Sequence, residues 1–168
     1  MINGVSDEIV DDEPSVEHHY GSAAERHFRD AVYLHDDRRL PTADHLFGFA
    51  AECAVKSLLL RFTTEVSMTD RRGRTSNKPW WHNPSNNKSE PLGHIADVLP
   101  AVSLLTHGRT GAELLQAMGR LSDFATWTEA DRYTDGAAVE ASVVACRREA
   151  ATLVLSLHEQ AVITGKLS

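Results

Sequence analysis

Glu52 and Lys56 stand four residues apart in the run 43–62, ADHLFGFAAECAVKSLLLRF, which would be apolar almost all round a helix. At that spacing the two side chains share a face, with the acid first, the favourable order for a helical pair. An ionised pair on such a helix either reaches out to a rim or forms a polar site, because an unpaired buried charge costs several kcal/mol. His94 and the Arg132–Tyr133 dipeptide each follow a loop and are placed to converge on that pair. A histidine and an arginine meet the roles of metal-free RNA cleavage with the fewest residues. That reaction needs a base for the 2′-hydroxyl proton, a donor to the leaving oxygen and a cation for the phosphorane charge. The alternative is a structural network in which Glu52 accepts from Arg132 or His94, Tyr133 caps it and Trp127 packs over it.

A second group of candidate residues lies between Arg71 and Ser89, where Arg71, Arg72, Arg74, Lys78 and Lys88 occur without a single acid. Four of these bases lead into Trp80 and Trp81, so phosphate-pairing cations adjoin stacking faces, the combination used to hold single-stranded nucleic acid. A solvated loop with the tryptophans anchored in the body of the protein or in a partner is the competing reading. Nine histidines are present, but no zinc-finger spacing and no H-E-x-x-H occurs, so no metal site is expected. Nor does a glycine-rich phosphate loop follow a strand, and no cofactor is expected.

The elements that must carry these residues read as helices. A first helix is expected from Ser15 to about Asp37, with Ala24, Phe28, Ala31, Val32 and Leu34 inward. Pro41 suits the opening of the second, where its missing N–H is harmless. Residues 94–106 suggest a helix interrupted at Pro100, and 110–125 a fourth. The last, about 136–164, shows Val139, Val143, Cys146, Ala150, Leu153, Leu157 and Ala161 at steps of three and four, and Gly165 closes it. Residues 63–91 hold three prolines, a glycine and many Ser, Thr and Asn, and read as a long basic loop. No strand alternation is evident. The expected fold is all-α, a helical bundle of four to five helices over 15–165, preceded by a flexible acidic N-terminus at 1–14.

At 168 residues and 42% hydrophobic content one domain is expected. Cys53 and Cys146 read as small buried residues rather than a disulfide. No run approaches eighteen apolar residues without a charge, so no membrane span, signal peptide or transit peptide is expected, and a cytoplasmic location fits. The net charge of −7 argues against broad nucleic-acid contact. It is unevenly placed: residues 1–25 contain seven acids and no Lys or Arg.

Three stretches carry a resemblance to a known family. GFAAECAVKSLL (48–59) fits a small, apolar second helix with an A-E-x-x-x-K core, GHIADVL (93–99) a GH-x-x-x-L helix opening, and WTEADRYTDG (127–136) a W-x-x-x-x-R-Y segment. In that order, followed by a long Ala-rich helix, they resemble the HEPN-domain proteins over about residues 20–165. The resemblance implies a helical bundle, a homodimer, and a place in toxin–antitoxin or antiviral defence systems. Many members cleave RNA through R-x(4–6)-H in the later half of the domain. Here that spacing occurs only at Arg29…His35 and at Arg38 or Arg39…His45, in the first two helices. The resemblance therefore implies a non-catalytic module that binds RNA, a nucleotide or a partner protein. One alternative is a metal-independent ribonuclease using His94 and Arg132. Another is a structural or regulatory subunit with no RNA role.

Overall fold

The computed structural model describes residues 14–168; the acidic segment expected at 1–14 lies, but for Pro14, outside the described residues. Helix α1 (Val16–Asp36) and helix α2 (Leu40–Phe62) form an antiparallel pair, with Pro41 in the first turn of α2. After the pair come strands β1 (Val66–Thr69), β2 (Thr75–Asn83) and β3 (Lys88–Pro91). Two single-turn helices follow, α3 (Ile95–Val98) and α4 (Ser103–Thr106), joined by a 3₁₀ turn at Leu99–Val102 that contains Pro100. Helix α5 (Ala112–Arg120) leads into 3₁₀ turns at Leu121–Phe124 and Glu129–Tyr133, and α6 (Ala141–Thr164) ends at Gly165 in the left-handed conformation.

Helix α2 is the axis of the molecule. Every residue from Ala50 to Leu59 is buried, and the helix packs chiefly against α1 and α6. Its lack of a polar face follows from that position: a helix wrapped by others needs no solvent stripe. Gly48 is required by packing, since a Cβ there would fall 2.0 Å from Cε2 of the Trp127 indole. Ala24 and Ala31 of α1 are buried, with Phe28, Val32 and Leu34 packed against the core beside them.

Two sequence expectations are corrected. The fold is mixed α/β rather than all-α, because residues 63–91 form an antiparallel sheet of order β1-β2-β3. Its prolines sit where a strand tolerates them. Pro79 lies in the irregular part of β2, where residues 76–79 stand opposite the single residue Met68, so no ladder bond needs its absent N–H. Pro84 is in the β2–β3 turn, and Pro91 closes β3. The turns are set by Gly73 at φ +77° and Asn87 at φ +56°. The buried face of α6 also differs from the expected stripe. Ala150, Leu157 and Ala161 are inward, but they share the face with Val144, Arg147, Ala151, Val154 and His158, while Cys146 is exposed. Both cysteines are free, and Cys53 is buried.

Among the described residues, no helix is long and apolar enough to cross a membrane.

Candidate functional site

Glu52 and Lys56 do not reach a rim. They are 5% and 3% exposed, and Lys56 Nζ donates to Glu52 Oε1 at 2.7 Å and to the Gly93 carbonyl at 2.5 Å. The Tyr20 ring lies under the ammonium, 5.6 Å from centroid to Nζ. Tyr20 in turn donates its hydroxyl proton to the Asn77 carbonyl of β2, and burial, with help from Cys53 and Glu52, pushes its pKa up to about 12. One lysine thus ties α2 to the β3–α3 connection and to the tyrosine that joins α1 to the sheet.

His94, the residue before α3, comes to this node. Its Nδ1 is 3.6 Å from Glu52 Oε2 and its Nε2 is 3.8 Å from Glu129 Oε1, both beyond a hydrogen bond. Its backbone N–H donates to Asp97 Oδ2 at 3.1 Å. Glu52 Oε2 and His94 Nδ1 are both buried without a hydrogen-bond partner.

The other expected members lie elsewhere. Arg132 and Tyr133 are exposed, the guanidinium 4.8 Å from its neighbour's ring, and neither bonds Glu52 or His94 among the described residues. Arg132 instead lines a cleft with Arg39 and His45. Trp127 is buried against Gly48, one helical turn before Glu52, stacked on His45 and donating its Nε1–H to the Asp44 carbonyl at 3.2 Å. The Arg132 guanidinium is therefore not placed beside His94 to stabilise a phosphorane, and the Lys56 ammonium is enclosed between two protein oxygens.

Two buried polar nodes were not anticipated from the sequence. Asp44 of α2 and Arg147 of α6 pair at 2.5 Å, with Arg147 also donating to the Asp123 carbonyl and the Thr126 hydroxyl. Burial raises the Asp44 pKa, against the pull of the Arg147 charge. The second node is Ser57 with His158. The Ser57 hydroxyl proton goes to the Glu17 carbonyl at 2.7 Å, so His158 Nε2, 2.9 Å away, carries its own proton and donates. Burial lowers the His158 pKa to about 4, and the nearby Arg61 charge acts the same way. A neutral histidine donating to the serine is not its base, so this pair is no nucleophile. The signal the sequence carries for both nodes is an isolated Asp or Ser in an apolar helix and an Arg or His in register with the apolar residues of α6.

The basic segment is ordered by its own network. Asp70 is buried and opens the β1–β2 turn: Oδ1 accepts from the backbone N–H groups of Arg72 and Arg74, and Oδ2 accepts from the Arg74 guanidinium. Those bonds, the Arg74 backbone first, hold its carboxyl below the usual range. Across the strands, Ser67 donates to the Thr69 carbonyl, so His82 Nε2 donates to Ser67 and its Nδ1 accepts from Ser89. Ser89 Oγ then accepts from the Arg71 backbone, and the Arg71 guanidinium donates to Asn87. Adjacent strand residues face opposite ways. Trp81 accordingly packs on the core, and Trp80 lines a shallow hollow of roughly 400 Å³ with Arg71, Arg72, Arg74 and Lys88. Lys78 is also exposed on β2, but it is not part of that lining.

Comparison with protein-family models, with curated proteins and with solved structures returned no match.

Proposed function

We propose that this protein is a non-catalytic, HEPN-like module that binds single-stranded RNA through the outer face of its three-stranded sheet. The observation that carries the reading is the grouping of Arg71, Arg72, Arg74 and Lys88 around Trp80 in one hollow. Cations there meet phosphates, and the indole offers a face to a base, an interaction worth about 1–3 kcal/mol per stacked base. Arg72 and Lys88 have no side-chain bond among the described residues, so their charge is uncommitted. In an acidic chain of net charge −7 such a patch gives local rather than broad contact. The family resemblance extends the proposal to a homodimer acting in the cytoplasm within a defence or toxin–antitoxin type system.

Cleavage is the weaker reading, because His94 and Arg132 are not assembled with each other. The test is a salt titration of a labelled single-stranded RNA against the intact protein, followed by analysis of the RNA. Binding is expected to weaken with salt by about −0.7 in log–log slope per phosphate contact, with the RNA recovered intact. Absence of binding at low salt removes the RNA reading. Cleavage that His94→Ala abolishes replaces binding with catalysis.

A further inference from the structure

A cleft away from the basic hollow is lined by the first turns of α2, by segment 126–139 and by the start of α6. Its two adjoining halves, roughly 330 and 460 Å³, share Asp44, Asp131 and Asp135. Asp44 is only 3% exposed, and while its Oδ2 holds Arg147, its Oδ1 is buried with no hydrogen-bond partner. A buried carboxylate oxygen in that state is costly unless something donates to it.

Arg147 does not supply a second bond. Three of its five N–H donors go to the Asp123 carbonyl, Asp44 Oδ2 and the Thr126 hydroxyl, and none reaches Asp44 Oδ1. In the smaller half its single charge faces Asp44, Asp131, Asp135 and Glu140, and the last three have no ion-pair partner among the described residues. Arg39 and Arg132 line only the larger half. The smaller half is therefore left with an excess of negative charge and one enclosed acceptor. Its carboxylates do not converge as metal ligands do: among the described residues, no group of three His, Cys, Asp or Glu is placed to hold an ion.

We propose that this half of the cleft binds a small organic cation bearing N–H donors, a primary ammonium or a guanidinium. Asp44 Oδ1 is the enclosed acceptor, and Asp131 and Asp135 are the charged rim. The N–H requirement separates this site from diffuse attraction to an acidic protein, which charge alone would produce.

The experiment is a chemical-shift titration of the intact, ¹⁵N-labelled protein with methylguanidinium and n-butylammonium. Tetramethylammonium, equal in charge but without N–H, is the control. The two donors are expected to saturate, moving the amides of residues 44, 131 and 135, and to bind about tenfold or more tightly than the control. Asp131→Asn with Asp135→Asn leaves the Asp44–Arg147 pair in place and is expected to weaken binding about tenfold. Asp44→Asn is expected to abolish it if the variant folds. Equal binding of tetramethylammonium, shifts confined to other regions, no saturable shift, or an unaffected rim variant would each overturn the proposal.

Discussion

The interior of the helical body and the outer face of the sheet both carry charge, and they use it in opposite ways. Inside, among the described residues, each buried cation is committed: Lys56 to Glu52 and Gly93, Arg147 to Asp44, Asp123 and Thr126. On the sheet, hydrogen bonds fix the backbone and Arg71 and Arg74 of the turn, while the Arg72 and Lys88 side chains have no partner among the described residues. Charge that is satisfied within the fold stabilises one arrangement of helices. Charge left over on an ordered scaffold is available to a ligand. The difference implies that substitutions inside will be read out as stability and substitutions outside as affinity.

The largest effect is expected at Lys56. Lys56→Met leaves the Glu52 carboxylate enclosed with no cation and removes the donor to Gly93 O. Breaking one side of a buried pair typically costs about 3–5 kcal/mol. Urea denaturation is expected to show a loss of that size, while RNA affinity per folded molecule stays unchanged. Adding Glu52→Leu to Lys56→Met is expected to recover much of the loss, because no buried charge then remains. A loss for Lys56→Met under about 1 kcal/mol would mean that the pair behaves as a surface pair, and the contrast between regions would fail.

His158 sharpens the contrast from within, since it is a polar group kept neutral rather than paired. Its pKa is about 4 in the folded protein and 6.5 without the fold. As pH falls through that window, the unfolded chain takes up a proton that the folded one does not. Stability is therefore full above pH 6.5 and falls toward pH 4, by about 3 kcal/mol if this group acted alone. His158→Gln retains a donor to Ser57 and does not titrate, so denaturation across the window should show a flatter profile. A profile identical to that of the parent would mean that the imidazole is solvated.

These nodes also show what the sequence conveys and what it hides. Glu52 and Lys56 are legible because both partners lie on one helix at a spacing that dictates contact. Asp44 and Arg147 are 103 positions apart, and only the packing of α2 on α6 brings them together. The apolar stripe of α6 was misplaced for the same reason. Counting hydrophobic positions excludes Arg147 and His158, yet those two help define the buried face. The sheet was hidden by Pro79, which counts against a strand unless a bulge removes the need for its N–H. Its outer face is polar as well, so apolar alternation was weak. His94 comes within 3.6 Å of Glu52, whereas Arg132, only three residues after Glu129, faces a different cleft.

Trp80 and Trp81 test the comparison within a single dipeptide. Trp80→Ala is expected to lower RNA affinity by about 1–3 kcal/mol with a smaller change in stability. Trp81→Ala removes contact with the core and is expected to cost about 2 kcal/mol of stability, below the value for a fully buried Trp because the residue is only half-buried. Affinity per folded molecule should hold for the second variant. Equal loss of affinity in both would show that the sheet responds as one unit and that Trp80 has no separate role.

The smallest change in the fold, and the sharpest probe of the outer face, is the pair Arg72→Ala and Lys88→Ala. Arg74 is unsuitable for this purpose, because its guanidinium closes the Asp70 turn at 2.6 Å and its removal would disturb the scaffold. The side chains of Arg72 and Lys88 make no hydrogen bond or ion pair among the described residues, so stability should stay within about 0.5 kcal/mol of the parent. If both neutralise phosphates, the log–log salt slope of RNA binding should shrink by about 1.4, two contacts at 0.7 each. An unchanged slope would place the RNA elsewhere on the molecule even if Trp80→Ala weakened binding. That outcome would reduce the hollow to a structural feature of the turn.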